Sequence, residues 1–216
     1  MRYKLAIFDM DGTILDTLED LKDALNYSLK INGYPTHPIE NVRRFVGNGI
    51  WKLIERGVPK NTEKEKIIKV YDDFMAYYHI HCADKTKPYE GIPDLLHCLK
   101  AAGCKTAVVS NKADSAVHEL CARYFPGCFD YEIGAREGIA NKPSPDSVME
   151  VLHQLNVSKE DAVYIGDSEV DVATAVNADM DSIIVTWGFR EVSFLKEQGA
   201  KIFADTTTDV EKIIMQ

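Results

Sequence analysis

Leu5-Ala-Ile-Phe-Asp-Met-Asp-Gly-Thr13 is the stretch around which this chain is organised. Lys4 to Phe8 is a short run dominated by apolar residues, the pattern of a strand buried on both faces. It ends in two carboxylates, Asp9 and Asp11, then Gly12 and Thr13. On an extended backbone residues i and i+2 project to the same side, so both acids lie near one site if strand geometry persists. Gly12 lets the chain turn sharply away. In an open α/β sheet, ligands bind at the carboxyl ends of the strands, where this pair falls. Two adjacent anions repel, which points to a bound cation or a shared proton. The simpler alternative is an ordinary strand followed by an Asp-Gly turn.

Beyond Asp16-Thr17 the periodicity changes from strand to helix. Leu18, Leu21, Leu25 and Leu29 recur at helical spacing, with Gly33 as a C-terminal stop and Pro35 beyond it. Val42, Phe45 and Val46 predict a short helix before Gly47-Asn48-Gly49, and Ile50, Leu53 and Ile54 another that ends near Gly57. Thr62-x-x-Glu65 reads as a capping box for a longer helix carrying Ile67, Ile68, Tyr71, Phe74, Met75 and Tyr78. From Pro88 onward helices alternate with strands. A helix over 92–102 precedes a strand over 105–109; a helix over 114–124 precedes a strand near 131–133. Ser144 caps a helix reaching Leu155, with Pro145 at its first position. Strands at 162–165, 182–185 and 201–203, a helix through Val176 and a last helix near 209–215 complete the pattern. Such alternation implies parallel pairing in a doubly wound sheet. The expected architecture is therefore an α/β core of residues 1–16 and 85–216, with a small helical domain of residues 17–84 inserted after the first strand.

At 216 residues the chain is long enough for one large domain or a core plus an insert. Its 45% apolar content is ordinary for a soluble globular chain. The net charge of −9 argues against nonspecific binding to nucleic acid or to anionic membranes. No stretch is apolar enough to span a bilayer, and the N-terminus runs directly into a strand without a signal-peptide pattern. The five cysteines, Cys82, Cys98, Cys104, Cys121 and Cys128, are scattered and include no CxxC pair. That pattern fits reduced thiols in the cytoplasm.

Three further sites sit at expected strand ends or helix starts. Val109 leads into Ser110-Asn111-Lys112, which offers a hydroxyl and amide groups. Asn141-Lys142-Pro143-Ser144 puts a cation just before a helix, where backbone N–H groups also favour an anion. Ile165 leads into Gly166-Asp167-Ser168-Glu169-Val170-Asp171, a second pair of carboxylates. Taken singly, each reads more readily as a turn serine, a surface lysine or a helix cap. All four in order at sheet ends are harder to dismiss.

Asp9-x-Asp11-Gly12-Thr13, Ser110, Lys142-Pro143 and Gly166-Asp167-Ser168-x-x-Asp171 together resemble the phosphatase branch of the haloacid dehalogenase superfamily. The helical insert is similar to that family's small helical cap. Arg44-Phe-Val-Gly-Asn-Gly49 and Pro88-Tyr-Glu-Gly-Ile-Pro93 look most like segments of the phosphoglycolate phosphatases and their close relatives. The resemblance implies that Asp9 is the nucleophile, forming an aspartyl-phosphate. It implies that Asp11 protonates the departing alkoxide and then takes a proton from the hydrolytic water. Ser110 and Lys142 would hold the phosphoryl oxygens, with Thr13 and Asn111 beside them. Mg²⁺ suits an all-oxygen site, and its implied ligands are Asp9, the Asp11 carbonyl and Asp167. Gly166, Ser168 and Asp171 would support them.

Asp11 disfavours the dehalogenase and phosphonate-hydrolase relatives. An inorganic pyrophosphatase or a sugar phosphomutase remains an alternative, as does a non-catalytic phosphate-binding protein. Arg44 with Gly47, Asn48 and Gly49 could bind the leaving group, for example a carboxylate; equally, Arg44 is a solvated helix residue and the glycines join two helices. The implied partner is a small phosphorylated metabolite, 2-phosphoglycolate first, with neither nucleic acid nor membrane, and the chain would be a monomer or a weak homodimer. His79 and His81 face different sides of a helix, and Tyr71, Phe74, Tyr77 and Tyr78 read as packing. Trp187-Gly188-Phe189-Arg190 follows a strand and could line the core side of the site, with structural packing the simpler reading. Cys104 and Cys128 read as buried thiols.

Overall fold

The computed structural model describes residues 1–216. Strand β1 (Leu5–Phe8) is buried at every position, as a central parallel strand must be when helices cover both faces. It is followed by β2 (Leu15–Asp16), α1 (Leu18–Ile31), α2 (Ile39–Phe45), α3 (Ile50–Gly57), α4 (Lys64–His81) and β3 (Lys87–Pro88). Then come α5 (Ile92–Ala101), β4 (Lys105–Ala113), α6 (Asp114–Tyr124), β5 (Tyr131–Ala135) and α7 (Asp146–Leu155). The chain finishes with β6 (Ala162–Gly166), α8 (Glu169–Asn177), β7 (Asp181–Val185), α9 (Val192–Glu197), β8 (Phe203–Ala204) and α10 (Thr207–Met215). It divides into two compact units, Met1–Leu15 with Pro88–Gln216, and Asp16–Lys87.

In the first unit six strands form one parallel sheet in the order β5-β4-β1-β6-β7-β8. The chain builds outward from β1 through β4 and β5, then returns to the other side of β1 with β6. The strands on either side of β1 therefore belong to opposite halves of the winding, the arrangement that opens a crevice at the carboxyl ends. Phe8 is level with both Val108 and Ile165, so the residues after these three positions meet at one edge. Leu5, Ile7, Ala107, Val109, Ile133, Ala162 and Tyr164 share one face and pack on Val148, Val151 and Leu152 of α7 and on Ala175 and Ala178. Alternation turns Ala6 and Phe8 to the opposite face, where the Phe8 ring meets Phe129 edge to face.

The second unit is helical. α1 buries Leu18, Leu21, Leu25 and Leu29 and packs along α4. It ends as its sequence predicts: Gly33 at φ 75° follows the C-cap, with Gly33 N–H bonded to Lys30 O and Tyr34 N–H to Leu29 O, a Schellman closure. Phe74 and Tyr78 of α4 are buried with their rings 5.3 Å apart, and Tyr77 stacks on Tyr27 at 4.3 Å, so these aromatics pack as the sequence reading held.

Several local expectations are corrected. Thr62 caps nothing: its hydroxyl donates to Pro59 O in a turn whose Asn61 is left-handed, and α4 begins after Glu63 without a side-chain cap. Ser144 is likewise not the cap of α7. Its N–H closes a turn onto Asn141 O, so Pro145 takes the cap position and the first helical bond is Met149 N–H to Pro145 O. β4 continues through Ser110, Asn111 and Lys112 to Ala113, with a register slip against β5 after Val109. β8 falls at Phe203–Ala204 because Phe203 is the residue level with Ile184. The short α9 had no visible signal, since it is anchored by one buried residue, Leu195, on Val172 and Ile184.

Candidate active site

Asp9 follows β1 directly, and its N–H bonds Ile165 O at 2.8 Å, extending the ladder by one residue. The carboxylate is thereby fixed at the junction of β1, β4 and β6. Lys142 reaches it from the loop before α7: Nζ lies 2.7 Å from Asp9 Oδ1, 2.8 Å from Asp171 Oδ1 and 2.8 Å from the Tyr164 hydroxyl. Three donors of one ammonium thus meet three oxygens, which is what a buried cation requires. Burial by itself would push the Lys142 pKa down, but Asp171 and Asp9 outweigh it and hold the group well above its ordinary value. The Lys142 backbone is held in turn by Asn111, whose side-chain amide exchanges two bonds with it, at 2.8 and 3.1 Å. The Asn111 side chain is therefore a strut for Lys142, where the sequence suggested a substrate contact.

Asp171 is a supporting residue by its bonding. Besides Lys142, it accepts from Tyr164 through Oδ1, and through Oδ2 from the N–H groups of Asp167 and Ser168 and the Ser168 hydroxyl at 2.6 Å. These bonds make a capping box at the start of α8. Gly166 lets this happen, since a Cβ there would lie 2.3 Å from Asp171 Cβ.

Asp167 accepts from the Thr13 hydroxyl at 3.2 Å through Oδ1 and from Phe189 N–H at 2.7 Å through Oδ2. Two glycines crowd it: a Cβ on Gly12, at φ 94°, would fall 2.5 Å from Oδ2, and one on Gly188 would fall 2.2 Å from its Cβ. Thr13, named as a substrate contact by the resemblance, is thus bonded to Asp167. Its carbonyl also accepts from Trp187 Nε1 at 3.0 Å, and Arg190 donates to Glu169 through Nε and Nη2.

Asp9, Asp167 and Asp171 bring carboxylate oxygens within 4.8 Å of one another, all buried. Burial and then Asp171 push the Asp9 carboxyl well up, against the pull of Lys142. Burial and then Asp171 also raise Asp167 to about 7, while Phe189 N–H, Arg190 and Thr13 pull the other way. One cation, Lys142, does not balance three buried anions. A hard divalent ion bound by Asp9 and Asp167 would lower both, and an all-oxygen donor set suits Mg²⁺. Asp171 accepts five protein bonds, against two for Asp167, which leaves it less free to turn toward an ion.

Ser110 is buried near the end of β4, and its Oγ accepts from Lys112 N–H at 3.2 Å. The Lys112 ammonium meets both oxygens of Asp11, at 3.0 and 3.2 Å. Within the helical unit, Arg44 is exposed on α2. Gly47 and Gly49 take φ values of 119° and 81°, and Asn48 Oδ1 accepts from Arg56. His81 pairs with Asp84 and lies against Tyr77. Burial pushes the thiol of Cys104 up to about 11 and also raises Cys121 and Cys128, so none is a ready nucleophile.

Lys112 and Tyr164 are not singled out as site residues by the sequence, and the Gly188-Phe189 segment reads there mainly as packing. A tyrosine in the otherwise apolar strand 162–165 and a glycine three residues beyond a strand end are weak signals of a buried hydroxyl partner and a close approach. Lys112 had only its i+2 spacing from Ser110.

The sheet topology, the acidic cluster and the lysine against Asp9 define a hydrolase of the doubly wound α/β class. The chain belongs to the haloacid dehalogenase-like hydrolase family, whose model matches residues 6–185. Among curated relatives it is similar to the phosphoglycolate phosphatase of Psychrobacter arcticus, 34% identical over 198 residues, covering 88% of this chain and 86% of that one. The phosphoglycolate phosphatase of Aquifex aeolicus is 32% identical over 191 residues, 88% of each chain. A crystal structure from Lactobacillus delbrueckii subsp. bulgaricus superposes with a TM-score of 0.95 at 40% identity over 99% of both chains. No helix is long and apolar enough to cross a membrane.

Proposed function

We propose that the protein is a Mg²⁺-dependent phosphatase acting on a small phosphorylated metabolite, with 2-phosphoglycolate the first candidate. The observation that carries this reading is the Asp9 carboxylate, held by Lys142 at 2.7 Å beside Asp167 at the ends of adjacent parallel strands. The names of the curated relatives support the substrate.

In this reading Asp9 attacks phosphorus as the bond to the leaving oxygen breaks, and Asp11 gives that oxygen a proton. Asp11 then takes a proton from the water that attacks phosphorus, releasing Asp9 and phosphate. Such proton transfer contributes about 10²–10⁴-fold. Lys142 and the Ser110 hydroxyl hold phosphoryl oxygens, and Lys142 offsets the repulsion between a carboxylate nucleophile and an anionic ester. Asp9, Asp167 and the Asp11 carbonyl would hold Mg²⁺, which supplies charge neutralisation at the phosphoryl group.

The helical unit would act as a cap, with Arg44 and the 47–49 loop meeting the leaving-group carboxylate. Truncating Arg44 then raises KM for a carboxylated ester more than for an aryl phosphate; equal changes remove that role. Five free cysteines, four of them buried, support a reducing cytoplasmic setting, and a monomer or weak homodimer is the expected state.

The test is Mg²⁺-dependent phosphate release from 2-phosphoglycolate, pyrophosphate, hexose phosphates and nucleotides, with Asp9→Asn as control. A preference for 2-phosphoglycolate, lost in the control, supports both chemistry and substrate. If another ester or pyrophosphate wins, the substrate is wrong and the nucleophile stands. Silence across the panel from folded protein with Mg²⁺ overturns the reading.

A further inference from the structure

The reaction as proposed leaves one buried cation of the core without a task. Lys112 is almost wholly inaccessible, its side chain 2% exposed, and its ammonium pairs with both oxygens of Asp11, itself 18% exposed. Burying an ammonium is unfavourable unless its partners are well placed. Ordinary strand packing gives no reason to put a lysine here. It lies two residues beyond Ser110, where β4 has slipped out of register with β5, and its own N–H donates to Ser110 Oγ. One short segment therefore ties the serine hydroxyl and the Asp11 carboxylate to a common frame.

A carboxyl that must deliver a proton to one particular oxygen loses its advantage if it rotates freely, since misplacement by about 1 Å can cost about 100-fold. Asp11 follows Met10 and precedes a glycine at φ 94°, so its neighbours in the chain do little to fix its side chain. The Lys112 ammonium supplies the missing constraint from the neighbouring strand.

We propose that Lys112 is a positioning residue for Asp11. It retains one carboxylate oxygen while the other carries the proton between solvent and the leaving oxygen of the substrate. In the first half-reaction that proton passes from Asp11 to the leaving oxygen as the Asp9–phosphorus bond forms and the ester bond breaks. In the second, Asp11 takes a proton from water as the water oxygen bonds phosphorus and the Asp9–phosphorus bond breaks. Lys112 neither gains nor loses a proton in either half. The inference rests on the acid–base role of Asp11 proposed above.

The readout is the dependence of kcat/KM on the leaving group. An alkyl ester such as 2-phosphoglycolate needs its leaving oxygen protonated, whereas para-nitrophenolate leaves readily without help. In Lys112→Met the ratio of alkyl to aryl kcat/KM falls by about 10-fold or more, in the direction set by losing a general acid. Lys112→Arg restores most of the ratio, and it decides the matter if the methionine variant does not fold. Asp11→Asn is the internal control and lowers the same ratio further. If Asp11→Asn leaves the ratio unchanged, the acid–base role itself fails and the inference with it. If Asp11→Asn lowers the ratio while Lys112→Met reduces both substrates equally, Lys112 is only structural. A raised KM for 2-phosphoglycolate with kcat unchanged makes Lys112 a substrate contact instead, and also overturns the proposal.

Discussion

Lys142 and Asp171 form an ion pair of 2.8 Å closed to solvent, with side-chain exposures of 3% and 0%. Removing one partner of such a pair leaves an uncompensated buried charge, and here Asp9 would be stranded as well. Lys142→Met should destabilise the protein by about 3–5 kcal/mol and abolish turnover. Urea unfolding at neutral pH checks it, and a loss below about 1 kcal/mol, the scale of an exposed pair, would show that the pair is not buried in solution.

Asp167 has no room to move while Gly188 lies against it, since a Cβ at that glycine would approach the Asp167 Cβ to 2.2 Å. Gly188→Ala should displace the carboxylate and weaken Mg²⁺ binding by about 10–100-fold, the range typical of lost support around a metal ligand. Mg²⁺ should raise the Tm of the unaltered protein because it binds only the folded state. That rise should shrink in the variant. Equal Mg²⁺-induced shifts in the two proteins would remove Asp167 from the ligand set.

In the helical unit, buried Asp20 accepts from the N–H groups of Lys85 and Thr86 and from the Thr86 hydroxyl at 2.8 Å. Asp20→Ala leaves those donors without an acceptor and should cost about 2–3 kcal/mol. Amide hydrogen exchange reports it locally, with protection lost first at Lys85 and Thr86. Unchanged protection there would show that the carboxylate does not hold this segment.

Tyr3 donates its hydroxyl to Asp181 at 2.7 Å. Burial, followed by this bond and the charge of Asp181, raises its pKa from 10.0 to about 12. The fold therefore prefers the neutral phenol. Its contribution to stability is complete below pH 10 and is lost as pH rises from 10 toward about 12. Tyr3→Phe has no phenol to ionise, so the stability difference between the two proteins should narrow across that window. Parallel pH profiles would contradict the assignment.

Much of the fold could be read locally because its signals are local. The α1 stripe of leucines with Gly33 behind it, the helix over 114–124 and the apolar strands at 5–8 and 162–166 each follow from periodicity and stop residues. Thr62 and Ser144 misled for the opposite reason. Each matched a cap by composition, but the turn before the helix used its polar groups first. Among the candidate site residues, Asp9, Asp11, Ser110, Asp167 and Asp171 stand at strand ends or a helix start and Lys142 in the loop before α7, and their order along the chain is what picks them out.

The amino-acid sequence by itself determined the parallel α/β architecture, the helical insert and the acids and lysine gathered at the strand ends, because strand and helix periods and their breaks are written residue by residue. Tertiary structure decided which of those groups touch. It bonded Asn111 to the Lys142 backbone, saturated Asp171 with five protein donors, pressed Gly12 and Gly188 onto Asp167 and set Lys112 against Asp11. Those pairings join residues up to 155 positions apart, as Gly12 and Asp167 are, and only the register of adjacent strands and the burial of their ends fix such distances.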